Sequence, residues 1–181
     1  MRFGVILLPD FDMSEKLISM SRVISAEADP IMTVGEARPP HVSVLHFSGT
    51  EMDAVRVWAE CTDTEAPSLH LRATGIKIAY IDAENFYVPE GGVYFGLEIA
   101  AEEGLQALHR KLLGIAEARG LETIGAVGHD YSPHVTLGVL IGDRAVLKVE
   151  VDDTLRASFS CRMALGRMGD YGTFPDVIDS Q

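Results

Sequence analysis

The chain has 181 residues, 47% hydrophobic and 23% charged, a balance that suits one globular domain or two small lobes sharing a core and excludes a disordered chain. Its 27 acidic and 15 basic residues leave a formal charge of −12. That charge argues against a long electrostatic track for nucleic acid and leaves room for a local pocket around one phosphate.

In chain order, the apolar run Phe3 to Leu8 stops at Pro9-Asp10. It is too short for a signal segment or a bilayer span, so it reads as a strand of a cytoplasmic protein with no membrane partner. Met13, Leu17, Met20 and Ile24 recur at helical spacing and predict a helix whose apolar stripe is core. Pro39-Pro40 breaks the chain before a strand HVSVLHF at 41–47. Thr50 with Asp53 three residues on predicts a capping box opening a second helix through Val57. A long strand region, SLHLRATGIKIAYI, follows at 68–81, then a strand VYFGLEI at 93–99. Leu105, Leu108, Leu112 and Ile115 mark a helix that stops at Gly120. Pro133 precedes the strand HVTLGVLI, a short helix is expected from Asp143, and ASFSCRMALG closes as a strand. The two cysteines, Cys61 and Cys161, make no CxxC pair and no metal-ligand spacing, which fits a reducing compartment.

The chain repeats itself. PPHVSVLHF at 39–47 returns as SPHVTLGVL at 132–140, 93 residues later. Phe3-Gly4 returns as Phe95-Gly96, Gly49 as Gly142 and Gly75 as Gly166, each within a residue or two of the same offset. The expectation is an α+β fold of two duplicated, pseudo-symmetric lobes, about 1–90 and 91–181. Each lobe would be a small, mainly antiparallel sheet with outer helices, with a cleft between the two.

On a strand, residues two apart share a face. His41 therefore points with Ser43, and His134 with Thr136, while Val42 and Val135 point the other way. Two imidazoles across one cleft suit a reaction that needs a base on one side and an acid on the other. Two hydroxyls beside them suit the non-bridging oxygens of a phosphoryl group. Which histidine is base and which is acid does not follow from a near-symmetric pair. Nothing here requires a metal or another cofactor.

The paired PHV[S/T] segments, one per half, resemble the 2H phosphoesterase superfamily, named for its two H-x-[S/T] motifs. The resemblance covers most of the chain. It implies a bilobal α+β fold, His41 and His134 as the catalytic acid–base pair, and Ser43 and Thr136 as phosphate-binding hydroxyls. Arg38 is the basic residue near a motif and joins them as a phosphate-binding candidate. The implied activity is that of a 2′,3′-cyclic phosphodiesterase acting on a small nucleotide or RNA end, in a monomer. The alternatives are an RNA 2′-5′ ligase or tRNA-end processing enzyme with the same four residues, or a nucleotide-binding module without turnover.

The remaining candidates are bland by comparison. His46-Phe47-Ser48 also fits H-x-S, but alternation puts His46 on the face of Val42 and Val44, opposite His41, as a satisfied, partly buried histidine. His129, Asp130 and His134 lack the further ligand that a zinc site needs. His70, on a strand, and His109, on a helix beside Arg110 and Lys111, are expected at the surface. Tyr131 would either stack on a nucleobase or cap the core edge; Tyr171 and Phe174 are weaker stacking candidates.

Overall fold

Asp10 and Thr50 mark where the first two helices begin, and each accepts a backbone N–H of the first turn. Asp10 accepts from Met13, and Thr50 exchanges bonds with Asp53 in the expected capping box. The computed structural model describes residues 1–26, 28, 30–63, 69–141 and 158–181. Within them the chain runs β1 (Arg2–Pro9), α1 (Phe11–Ser25), β2 (Pro30–Thr33), β3 (Val42–Ser48), α2 (Glu51–Thr62) and β4 (Leu69–Ile81). It continues through β5 (Gly92–Ile99), α3 (Glu103–Ala118), β6 (Thr123–Ile124), β7 (His134–Leu140), β8 (Ser158–Arg167) and β9 (Asp176–Ser180). The strands expected from the sequence all form; β2, β6 and β9, short or polar, carry too little pattern to be read in advance. Gly142 and the helix expected from Asp143 lie outside the described residues. Among the described residues no helix is long and apolar enough to cross a membrane.

The fold is α+β, and its strands form one nine-stranded sheet rather than two separate small ones. The pairings are antiparallel, and the path β7-β5-β4-β8-β1-β3 closes on itself because β3 also pairs β7. The sequence halves expected as lobes interleave. First-half β1 and β3 pair with second-half β8 and β6; second-half β5 and β7 pair with first-half β4 and β2. The helices cross over as well, α1 packing on β7 and α3 on β3. Phe3, Phe47, Phe95, Leu17, Leu105 and Leu112 are fully buried in the core between sheet and helices. On the opposite face Ile6, Leu8, Ala164, Met168 and Phe174 form a smaller apolar floor.

Both motif strands carry a bulge at the same place. Ile6 pairs Ser43 while Val5 pairs Leu45, so Val44 is the extra residue in β3. Gly96 pairs Thr136 while Phe95 pairs Gly138, so Leu137, 93 residues on, is the extra residue in β7. A bulged residue leaves the ladder, and its carbonyl must find another donor when buried. Val44 O accepts from His109 Nδ1 at 2.7 Å; Leu137 O accepts from Ser21 Oγ at 2.6 Å and from Val34 N. Each donor side chain comes from the helix packed on that strand.

This corrects the expectation for His109, which is fully buried rather than at the surface. The buried face of α3 runs Leu105, Leu108, His109, Leu112, Ala116. A polar residue on that stripe is satisfied at both nitrogens, because His109 Nε2 also accepts from Gly128 N at 2.9 Å.

Candidate active site

The pairing of β3 with β7 assembles the site. Val42 lies opposite Val135, so the antiparallel register puts His41 across from Thr136 and Ser43 across from His134. All four side chains share the face opposite Val42 and Val135, both fully buried. The two imidazoles occupy one diagonal of this square and the two hydroxyls the other. Residues directly across such a pair are about 5 Å apart and diagonal ones about 7 Å, the scale of one phosphoryl group. His41, Ser43, His134 and Thr136 all line a cavity of about 320 Å³.

The segment before each histidine fixes its ring. His41 Nδ1 faces Pro39 O at 2.9 Å and His134 Nδ1 faces Ser132 O at 2.7 Å. A carbonyl only accepts, so each Nδ1 carries the proton and each Nε2 keeps a free lone pair when the ring is neutral. The residues whose carbonyls serve, Pro39 and Ser132, each precede a proline, which holds them extended. The repeated proline thus has a role in setting the tautomer.

Both imidazoles are held below the ordinary histidine pKa, and the causes differ. For His41 the main cause is burial, followed by the facing charge of His134; the carbonyls of Pro39 and Gly172 offset part of it. For His134 burial again dominates, with Lys77 adding to it and only the Ser132 bond opposing. Lys77 is a cation in the cleft lining, and its Nζ lies 3.4 Å from Ser132 Oγ. Arg38, expected to serve the phosphate, is exposed and outside that lining; its backbone pairs with Gly35.

His46 stands where alternation did not put it. The extra residue at Val44 reverses the parity of β3, so His46 faces the same cleft as His41 and Ser43. It is buried and satisfied as expected, with Nε2 at 2.9 Å from Ser43 Oγ and Nδ1 at 3.0 Å from the Tyr87 hydroxyl. Burial, with the charges of His41 and His134 adding to it, lowers its pKa to about 3. Its counterpart in the second motif, Val139, is turned into the cleft by the bulge at Leu137.

The repeated Phe-Gly pairs now have a purpose. A Cβ on Gly4 would come within 2.5 Å of Phe174 Cζ and 2.8 Å of His46 Cδ2. A Cβ on Gly96 would strike the Val135 carbonyl of β7 first and come within 2.8 Å of the Tyr94 hydroxyl. Gly4 makes room for an aromatic ring beneath its motif, and Gly96 for both the neighbouring backbone and a ring. Phe174 meets His41 edge-on at 5.0 Å between centroids, and Tyr94 meets His134 edge-on at 5.6 Å. Tyr131 lines the cleft with one ring face stacked on His109 at 3.9 Å and its hydroxyl donated to Ser43 O. Those contacts are the ones a core-edge residue makes. Tyr171 lines the cleft and donates to Glu90.

Sequence reasoning did not pick out Lys77, Tyr87, Tyr94 or Gly172 as cleft residues. Lys77 had one signal, a lone cation between Ile76 and Ile78 in a strand; the others had none.

No family model and no curated protein sequence matches the chain. Solved structures do. E. coli LigT complexed with NADP+ is similar over 99% of this chain and 95% of its own, with a TM-score of 0.59 at 15% identity. A crystal structure of a phosphoesterase covers 99% and 96%, with a TM-score of 0.54 at 14% identity. The MHV ns2 PDE domain covers 88% and 87%, with a TM-score of 0.52 at 14% identity. The chain therefore shares the fold of these three structures over most of its length.

Proposed function

We propose that the protein is a phosphoesterase that hydrolyses 2′,3′-cyclic or related phosphodiesters of nucleotides or RNA ends, with imidazoles as both acid and base. The observation that carries this reading is the antiparallel pairing centred on Val42 and Val135, which gathers two histidines and two hydroxyls on one face. The fold neighbours support it, since they include a phosphoesterase, a PDE domain, and LigT complexed with NADP+ and with 3′-AMP. The net charge of −12 favours small nucleotides or short ends over long RNA.

The two imidazoles take opposite roles through their Nε2 atoms. One Nε2 takes a proton from water, and the resulting hydroxide oxygen bonds to phosphorus. The bond from phosphorus to one ribose oxygen breaks, and that oxygen takes the proton of the other histidine's imidazolium. A phosphomonoester and a free hydroxyl leave. Ser43, Thr136 and Lys77 meet the non-bridging oxygens as charge builds on them.

The test is a panel of 2′,3′-cyclic nucleotides followed by product mass. Wild-type protein is expected to open at least one ring to a monophosphate. His41→Ala and His134→Ala should each lose about 10²–10⁴ in kcat with the fold retained. No ring opening on any member, or full activity in His134→Ala, overturns the reading.

A further inference from the structure

Ser43 is not equivalent to Thr136, because the bulge at Val44 brings an imidazole against its hydroxyl. We propose that His46 is a positioning residue for phosphate binding: its Nε2–H donates to Ser43 Oγ, its Nδ1 accepts from Tyr87, and the Ser43 proton is left to point at an anionic oxygen of the substrate. The proposal rests on the phosphodiester reading of the cleft and extends it.

The hydrogen bonds allow two arrangements. In one, Nδ1–H donates to Tyr87 and Nε2 accepts from Ser43, which consumes the serine proton and turns Ser43 toward a nucleophile's role. In the other, Tyr87 donates to Nδ1, Nε2–H donates to Ser43, and the serine proton stays free. A nucleophilic serine needs an imidazole that can become charged, steadied by a third group that favours the charge. His46 is buried, faces two further imidazoles and has a phenol behind it, so charging it is disfavoured on every side. Ser43 is therefore no nucleophile, and among the described residues the Tyr87 hydroxyl bonds His46 Nδ1 alone, so its proton points there and the second arrangement stands.

It also accounts for a serine at this position. Threonine, branched at Cβ, has a restricted χ1, whereas serine turns more freely. Thr136 has Val139, which has no polar atom, in the place that His46 takes beside Ser43, and its polar neighbour is the Tyr94 hydroxyl. The imidazole gives Ser43 the fixed direction that Thr136 takes from its branching and from Tyr94.

Two measurements decide it. Two-bond ¹H–¹⁵N NMR of the ligand-free protein should show His46 protonated on Nε2 with a bare Nδ1. Titration with inorganic phosphate, and turnover of a cyclic nucleotide where there is any, should then be compared across His46→Leu, His46→Gln, Ser43→Ala and the double variant. Losing a hydrogen bond to a charged oxygen costs about tenfold or more in affinity. His46→Leu should show that loss, His46→Gln should recover much of it with an amide donor near the position of Nε2, and His46→Leu should add nothing once Ser43 is alanine. A His46 protonated on Nδ1, an equal loss in both serine backgrounds, or a phosphoserine trapped by acid quench overturns the proposal. Phosphate binding and the tautomer are read without turnover, so a protein inert toward every cyclic phosphodiester would refute the function while this test still gave its answer.

Discussion

Each catalytic candidate is a histidine whose Nδ1–H is tied to a carbonyl two residues before it. Only Nε2 remains to exchange a proton, and burial is the main force on its pKa. Because both values lie below the ordinary 6.5, the ligand-free protein at pH 7 carries both rings mainly neutral. The proposed acid–base reaction needs one ring charged and one neutral, a state most populated between the two pKa values. The kcat/KM profile, which reports the free enzyme, should therefore peak on the acid side of pH 6.5. A bound phosphodiester anion favours the charged rings, so the kcat profile should be displaced to higher pH than the kcat/KM profile. Initial rates across the acid and neutral range read both curves; a kcat/KM maximum well above pH 7 would contradict the burial argument. At this scale the sequence disclosed the two motif histidines, because their spacing is doubled. It did not disclose Lys77 or Tyr87, which reach the cleft from β4 and the 82–91 link without any repeat to flag them.

The bulge is the element that strict alternation could not anticipate. Period-two reasoning assumes an uninterrupted strand, and one extra residue at Val44 moves His46 from the helix side to the cleft side. Helical periodicity had the same blind spot for His109, whose buried place follows from the Val44 carbonyl rather than from hydrophobicity. The apolar stripes, the capping box at Thr50 and the strand ends at proline were legible because each depends on local chemistry alone. Bulges depend on what the neighbouring strand and the covering helix supply. That dependence can be measured. His109→Leu strands the buried Val44 carbonyl, at about 1–3 kcal/mol, and the half-buried Gly128 N–H, at less. Ser21→Ala should cost less, because Val34 N–H still reaches the Leu137 carbonyl. Urea unfolding of the two variants gives the ranking, and a neutral His109→Leu would show that the bulge needs no donor from α3.

The whole molecule is a duplication whose copies do not stand apart. The repeat at an offset of 93 revealed two units and left hidden that they exchange parts, since sequence similarity says nothing about which β4 pairs which β5. The pairings β1–β8, β2–β7, β3–β6, β3–β7, β4–β5 and β4–β8 all join residues before 91 to residues after it. Strands β1 and β3 alone would keep a two-stranded ladder without α3, the helix that covers β3 and partners its bulge. Two paired strands, covered by α1 and α2 at β1 only and bare at β3, are marginal at best in water. A fragment of residues 1–90 should therefore be unfolded on its own, and so should 91–181. Mixed in equal amounts they should regain the sheet, because each supplies the strands and the helix that the other lacks. Circular dichroism of each fragment and of the mixture reads the outcome, with inorganic phosphate binding as the check that the Val42–Val135 pairing has re-formed. A fragment that folds cooperatively by itself would mean that each half carries a self-sufficient core, against the interleaving seen here.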